Sequence, residues 1–295
     1  MTYSIIARDP DSGYMGVATQ SQAFAVGGSV PWASSGTGVV ATQSMGEPMY
    51  GDLGLDALRA GLTAPEVLAA LRSVDPHPER RQVGIVDMHG GIEVYTGEAC
   101  VAAAGHQTGD TCAALANIVE GPGVWESMVE AYEKSSGWLP RRLLAALHAA
   151  EEAGGDSRGQ RSAAVFVVRA ERSGRPWRDT VTDLRVDNHP DSVREITRMV
   201  EHTWRYHSTI KAFELALDGD TDAALEALPD YADLSELDDD MVLWRAIALA
   251  SADRMDEART LGAHLADRSS AMVAVTRRFG DAGLVSADLL DQILP

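Results

Sequence analysis

Between Thr2 and Arg8 the residues alternate in kind, with Tyr3, Ile5 and Ala7 in one register and Thr2, Ser4, Ile6 and Arg8 in the other. A period of two is that of a strand with two distinct faces. Chain ends fray unless something ties them down, so a strand opening at the second residue predicts an end built into a sheet. Asp9-Pro10-Asp11-Ser12-Gly13 then supplies a turn, proline presetting φ and glycine free to take it positive. Tyr14 to Ser21 returns as a second strand, and residues 2–21 read as a β-hairpin.

The head of that hairpin carries chemistry. With Met1 removed, Thr2 would hold a hydroxyl and a free α-amine on one residue, a nucleophile with its own base. An α-amine of unperturbed pKa about 7.7–8 accepts a proton near neutral pH without a lysine. The chain has only Lys134 and Lys211 to offer as an alternative.

A short repeat follows. Val17-Ala18-Thr19-Gln20-Ser21 recurs as Val40-Ala41-Thr42-Gln43-Ser44, at the end of a third strand predicted over Gly36–Ser44. Two strands ending alike would set two amides and several hydroxyls on one sheet edge, or simply be buried strands with polar ends. Residues 53–74 carry helical spacing, with Thr63 as N-cap and Pro65 in the first turn. Gln82–Asp87 and Ile92–Thr96 flank His89-Gly90-Gly91 as a second hairpin. Ala104 to Gly109 is rich in turn formers. Helices are predicted over 123–134 and 139–153, a loop over Gly154–Gln160, and strands over Ser162–Arg169 and Thr180–Val186. Hairpins at both ends with helices between them suit an α+β domain of antiparallel sheets covered by helices. The alternation and glycine-rich phosphate loop of nucleotide-binding folds are missing.

Beyond His189-Pro190 the pattern is helical, which divides the chain into 1–195 and an all-helical 196–295. Residues 212–227 match 246–261 at an offset of 34 through Ala212/Ala246, Leu215/Leu249, Ala216/Ala250, Asp222/Asp256 and Ala224/Ala258. That period is the one of tetratricopeptide helix pairs, and two copies make a small appendage rather than an array. Asp218 to Asp240 holds ten acidic residues and no basic one.

Composition removes whole classes of function. Lys+Arg 25 against Asp+Glu 44 gives a net charge of −19, which argues against nucleic acid or an anionic membrane as partner. Cys100 and Cys112 form neither a CxxC nor a His/Cys cluster, and the scattered histidines offer no metal-ligand spacing, so no metal or other cofactor is expected. Without a signal segment or a spanning apolar run, the expectation is a cytoplasmic protein.

Around Thr2 a hydrolytic site would need an oxyanion hole and a substrate anchor. Gln20, Gln43, or backbone N–H groups near Gly46 and Gly105 could supply the first. Arg158 beside Asp156 could polarise the amine or clamp a carboxylate, unless the two only brace their loop. His106, between Gly105 and Gln107, is accessible but tied to no triad spacing.

The segments TYSIIARDP, GVATQSQAFAVGGSVPWA, GTGVVATQSM, YGDLGLDALRAGL, RQVGIVDMHG, YTGEACVAAAGH, GDSRGQRSAAVFVVR and LRVDNHPDSV together resemble the domain of unknown function 1028 family over about residues 2–195. The resemblance implies membership of the N-terminal-nucleophile (Ntn) hydrolase superfamily. It therefore implies a four-layer αββα sandwich and hydrolysis of a C–N amide bond in a small amide or peptide-like substrate. Thr2 and Ser4 match the start of the family pattern, Gln20 and Gln43 its second and third strands, and Asn117, Asp156, Arg158 and Ser162 its later polar positions. Thr2, Ser4, Gln20, Gln43, Asp156 and Arg158 are thus the candidate catalytic residues, and Ser44, Glu47, His106 and Asn117 the candidates around the substrate. The chain departs from the pattern at Glu47, where asparagine is usual before proline, at Ala116, where glycine is usual, and in the order of Gln160 and Arg161. A charge at Glu47, if it lined the pocket, would alter substrate choice. A second reading keeps the fold for ligand binding or assembly, with the helical segment as interaction module. Exposed sheet edges make a homo-oligomer a further expectation by analogy.

Overall fold

The structure is a computed structural model that describes residues 2–231 and 233–295. The chain runs β1 (Thr2–Asp9), β2 (Tyr14–Ser21), β3 (Pro31–Ser34), β4 (Gly38–Ser44), α1 (Met49–Arg59), α2 (Ala64–Val74), β5 (Arg81–Asp87), β6 (Ile92–Thr96), β7 (Ala104–Thr108), β8 (Cys112–Asn117), α3 (Gly123–Lys134), α4 (Leu139–Glu152), β9 (Ser162–Arg169) and β10 (Thr180–Val186). Helices α5 (Ser192–Leu217), α6 (Thr221–Ala227), α7 (Asp239–Ser251), α8 (Met255–Arg268), α9 (Ser270–Asp281) and α10 (Ala287–Ile293) complete it. The fold is α+β, with two antiparallel sheets and a helical C-terminal part.

The larger sheet has the order β10-β9-β2-β1-β8-β7 and the smaller β3-β4-β5-β6. Alternation along β1 decides what each face touches. Tyr3, Ile5 and Ala7 pack with Met128 of α3 and Leu143 and Leu147 of α4. Ile6 joins Val17 and Leu115 against Val39, Ala41 and Val86 of the smaller sheet. On that sheet's far side, Val40, Val83 and Ile85 pack on Tyr50, Leu55, Val67 and Leu68 of α1 and α2. Each of the buried valine, leucine, isoleucine and methionine side chains contributes about 1.5–3 kcal/mol.

Three sequence expectations needed correction. The helical stretch 53–74 is two helices, because Gly61 takes φ +99 in the break between them. Thr63 does cap α2, its N–H donating to Glu66 Oε2 at 2.8 Å in a capping box. The turn-rich Ala104–Gly109 opens a hairpin, β7–β8, whose edge strand is too exposed and polar to show apolar alternation. The third strand, expected from Gly36 and on one sheet edge with the second, starts at Gly38 and belongs with β3 to the other sheet.

The packing divides into two compact units, Met1–Val200 and Glu201–Pro295, and the division falls within α5. Val193, Ile196 and Val200 belong to the core of the first unit. In the second, Met241, Ile247, Leu261, Leu265, Leu290 and Ile293 form a separate core. Tyr206 meets the edge of Trp244 at 5.1 Å between ring centroids. Among its described residues the second unit holds helices and no strand, and the offset-34 positions fall on α5 and α6 and on α7 and α8. Among the described residues no helix is long and apolar enough to cross a membrane.

Candidate functional site

β1 runs through the middle of the larger sheet and is held on both sides at its first residues. Thr2 pairs with Asn117 of β8, and Tyr3 pairs with Gln20 of β2. Tyr3 faces the helices, where its hydroxyl donates to Glu151 of α4. Burial, and then the carboxylate of Glu151, hold the phenol well above its ordinary pKa. Thr2 and Ser4 face the other way, into the gap between the sheets. Thr2 Oγ1 donates to Ser21 Oγ at 3.1 Å. Ser4 Oγ donates to Gln43 Oε1 at 2.5 Å and lies 2.8 Å from Thr19 Oγ1.

Three buried amides close the gap. Gln43 Nε2 lies within donating distance of Thr2 O (3.1 Å), Gln82 Oε1 (2.8 Å) and Leu115 O (3.1 Å). Asn117 Nδ2 donates to Gln82 Oε1 at 2.9 Å and reaches Thr2 O at 3.3 Å. Gln82 Nε2 faces Ala116 O at 2.8 Å and Gly105 O at 3.0 Å. A polar network in a low-dielectric interior is rigid when its members are satisfied, and this one fixes the carbonyl of Thr2. Asn117 Oδ1 has no partner among the described residues.

The Thr2 side of this network opens on a cavity of about 250 Å³ whose wall includes Thr2, Ala23, Val26, Thr42, Gln43 and Ser44. Three non-glycine residues in the left-handed region border the same end: Ser44 (φ 71), Ala25 (φ 53) and Ile118 (φ 55). Such residues cost about 1–3 kcal/mol each and collect at functional sites.

The family model for the "family of unknown function (DUF1028)" matches residues 2–196. The chain belongs to this family. A crystal structure of protein SPO2555 from Silicibacter pomeroyi, itself matched to the DUF1028 family model, is 31% identical, with a TM-score of 0.62, covering 68% of this chain and 88% of that one. No curated protein matches the chain.

In this DUF1028 chain the loop 154–160 closes on the same sheet end. Asp156 Oδ2 accepts the N–H of Gln22 at 3.0 Å, and Oδ1 accepts that of Arg158 at 2.8 Å. Arg158 Nη2 stands 3.4 Å from Asp156 Oδ2, with the arginine side chain 45% exposed. The pair thus braces the loop against residue 22 while leaving much of the guanidinium in solvent. Ser162 Oγ donates to Ala23 O at 2.6 Å and accepts the N–H of Val26 at 3.1 Å, pinning the cavity wall.

Not every expected residue joins the site. Gln20 sits opposite Tyr3, so its side chain lies on the helix-facing side of the sheet, away from Thr2. It is 0% exposed, and neither amide atom has a partner among the described residues. The repeated Thr-Gln-Ser therefore faces opposite ways in its two copies. Thr19 and Ser21 point into the gap in β2, whereas Gln43 does so in β4. Gln43 reaches Thr2, but the fold occupies its amide N–H groups, so it is no free oxyanion donor. Glu47 Oε1 accepts the N–H of Met49 at the start of α1, and Glu47 is not among the residues forming the cavity wall.

His106 lies elsewhere, in a second cavity of about 530 Å³ with Cys100 and Trp125. Its Nδ1 is 2.8 Å from Thr96 Oγ1, which in turn lies 3.0 Å from Gln82 Nε2. Burial lowers the imidazole pKa, against the opposing pull of Glu93. Gln82 is the residue that sequence reasoning missed. A glutamine opening an apolar strand mirrors Gln43 closing one, and the two are register partners in β4 and β5.

Proposed function

We propose that the chain is an N-terminal-nucleophile amidohydrolase, an αββα sandwich that cleaves the C–N bond of a small amide or peptide-like substrate through Thr2. The observation that carries this reading is the placement of Thr2 Oγ1, in the wall of a cavity and held by Ser21 Oγ at 3.1 Å. The layer order suggested by the three apolar clusters of the first unit supports it.

In this reading Met1, which lies outside the described residues, is removed and the amine of Thr2 is freed. The amine takes the proton of Oγ1 as Oγ1 attacks the substrate carbonyl carbon, giving a tetrahedral adduct. Backbone N–H groups of the Ser44–Gly46 turn stabilise the oxyanion. The adduct collapses as the C–N bond breaks, and the ammonium group returns its proton to the leaving amine. Water then attacks the ester on Thr2, giving up a proton to the same amine, the acyl C–Oγ1 bond breaks as the ammonium returns that proton to Oγ1, and the carboxylic acid departs. Arg158, on the loop that Asp156 ties to Gln22, is the candidate anchor for a substrate carboxylate.

The test is a chain with one residue inserted between Met1 and Thr2, assayed on a panel of small amides and dipeptides beside protein whose intact mass shows Met1 removed. The insertion displaces the base, so turnover should fall by about 10²–10⁴. Full turnover in the extended chain would remove the terminal amine from the mechanism. A second reading, a non-catalytic ligand-binding or assembly protein, draws support from the use of Gln43 and Asn117 to join the sheets. Saturable binding of such amides without turnover in the processed protein would decide for it.

A further inference from the structure

At the opposite end of the first unit, the segment from Arg169 to Arg178 carries four arginines and one acidic residue, Glu171, in a chain of net charge −19. Its backbone is ordered by its own bonds. Asp179 Oδ1 accepts the N–H of Ser173 at 3.0 Å, Arg178 O accepts from Arg169 Nε at 3.2 Å, and Pro176–Arg178 form a 3₁₀ turn. The side chains on that frame face solvent. Trp177 is 79% exposed, and Arg172, Arg175 and Arg178 have no carboxylate within ion-pair distance among the described residues. Arg172 is steered by Nε donating to Ser35 O at 3.3 Å, and it borders a cavity of about 350 Å³ floored by Phe166 and Val168.

An ordered loop that holds a tryptophan and three unpaired guanidinium groups in water has the composition of a binding hot spot. Such a loop calls for an acidic partner. The sequence contains one. Within the acidic stretch, Asp218, Asp222, Glu226 and Asp230 are exposed and make no ion pair among the described residues, and Asp222 and Glu226 stand four apart on α6. We propose that the Arg169–Arg178 loop is a homotypic docking surface that receives the acidic segment 218–230 of a second copy of the chain. The opposed charges steer the encounter, and Trp177 with the Phe166–Val168 floor supplies the apolar contact.

The test measures the mass of the full chain in solution against concentration and salt. Association should strengthen with concentration and weaken as salt screens the charges. Arg175→Gln with Arg178→Gln, two solvent-facing changes, should weaken it at least tenfold, and Trp177→Ala should do the same. A variant carrying Arg172→Glu, Arg175→Glu and Arg178→Glu and one carrying Asp218→Arg, Asp222→Arg and Glu226→Arg should each stay monomeric alone and pair when mixed. A chain that is monomeric at every concentration in low salt overturns the proposal, as does association untouched by the glutamine pair. If both charge-reversed variants fold but do not pair when mixed, the acidic segment is not the occupant.

Discussion

Gln43 Nε2, on the smaller sheet, donates to the carbonyl oxygen of Thr2 on the larger one, 3.1 Å away. The bond ties Thr2 to the opposite layer through its backbone without engaging its hydroxyl, which donates to Ser21 Oγ. Replacing Gln43 with leucine strips donors from Thr2 O, Leu115 O and Gln82 Oε1 and removes the acceptor of Ser4. A stranded buried group costs about 1–3 kcal/mol, so Gln43→Leu should lose roughly 3 kcal/mol or more in urea unfolding. A midpoint within error of the parent would show that the amide network does not join the sheets.

Thr2→Ala should abolish turnover while lowering Tm by only a few degrees, because it deletes one hydrogen bond, worth about 1 kcal/mol, at a strand end. Thr2→Ser keeps the hydroxyl and should retain partial activity. Equal activity in the alanine variant and the parent would leave Thr2 without a catalytic part.

Gln20 separates family pattern from geometry. Its amide is buried, unpartnered among the described residues and on the far face from Thr2. Gln20→Met keeps the volume and removes the stranded polar atoms, so Tm should rise, by about 1 kcal/mol in stability, with turnover unchanged. Loss of both would assign Gln20 a function that this placement does not provide.

Asp75 and Arg81 form a buried pair, with Arg81 Nε 2.8 Å from Asp75 Oδ2. The hydrogen bond from Arg81 draws the Asp75 carboxyl down to about 2, and the N–H of His77 and the hydroxyl of Tyr50 help, against the opposing effect of burial. A folded pKa below the unfolded one stabilises the protein above the unfolded value of about 3.9, and that share is lost as pH falls toward 2. Asp75→Asn should therefore lower Tm at neutral pH, and its deficit should shrink steadily between about pH 4 and pH 2. A deficit constant across that range would mean that charge is not what Asp75 contributes.

Most long strands that bury a face were legible, and so were helices with caps, but β8, buried throughout, and the short β3 were not. β9 and β10 run as their apolar residues predicted, and Thr63 with Glu66 marked the start of α2. The edge strand β7 was not legible, since His106, Gln107 and Thr108 are exposed and polar. The site was half legible. A local pattern can say that Gln20 and Gln43 end strands, but which face each presents depends on register, and one residue of phase reverses it. Gln82 was hidden for the same reason. Its value comes from a partner 39 positions away.

The strand order of the larger sheet has a consequence for synthesis. The earliest residues form its middle, and the strands added later, β8 and β7 on one flank and β9 and β10 on the other, build outward. Thr2 meets its second neighbour only when Asn117, 115 residues on, has emerged. At about 5–20 residues per second, the head of β1 stays one-sided on the ribosome for roughly 6–23 s. Throughout that interval one flank of β1 stays open to solvent and to other molecules, and after it the strand is enclosed on both sides.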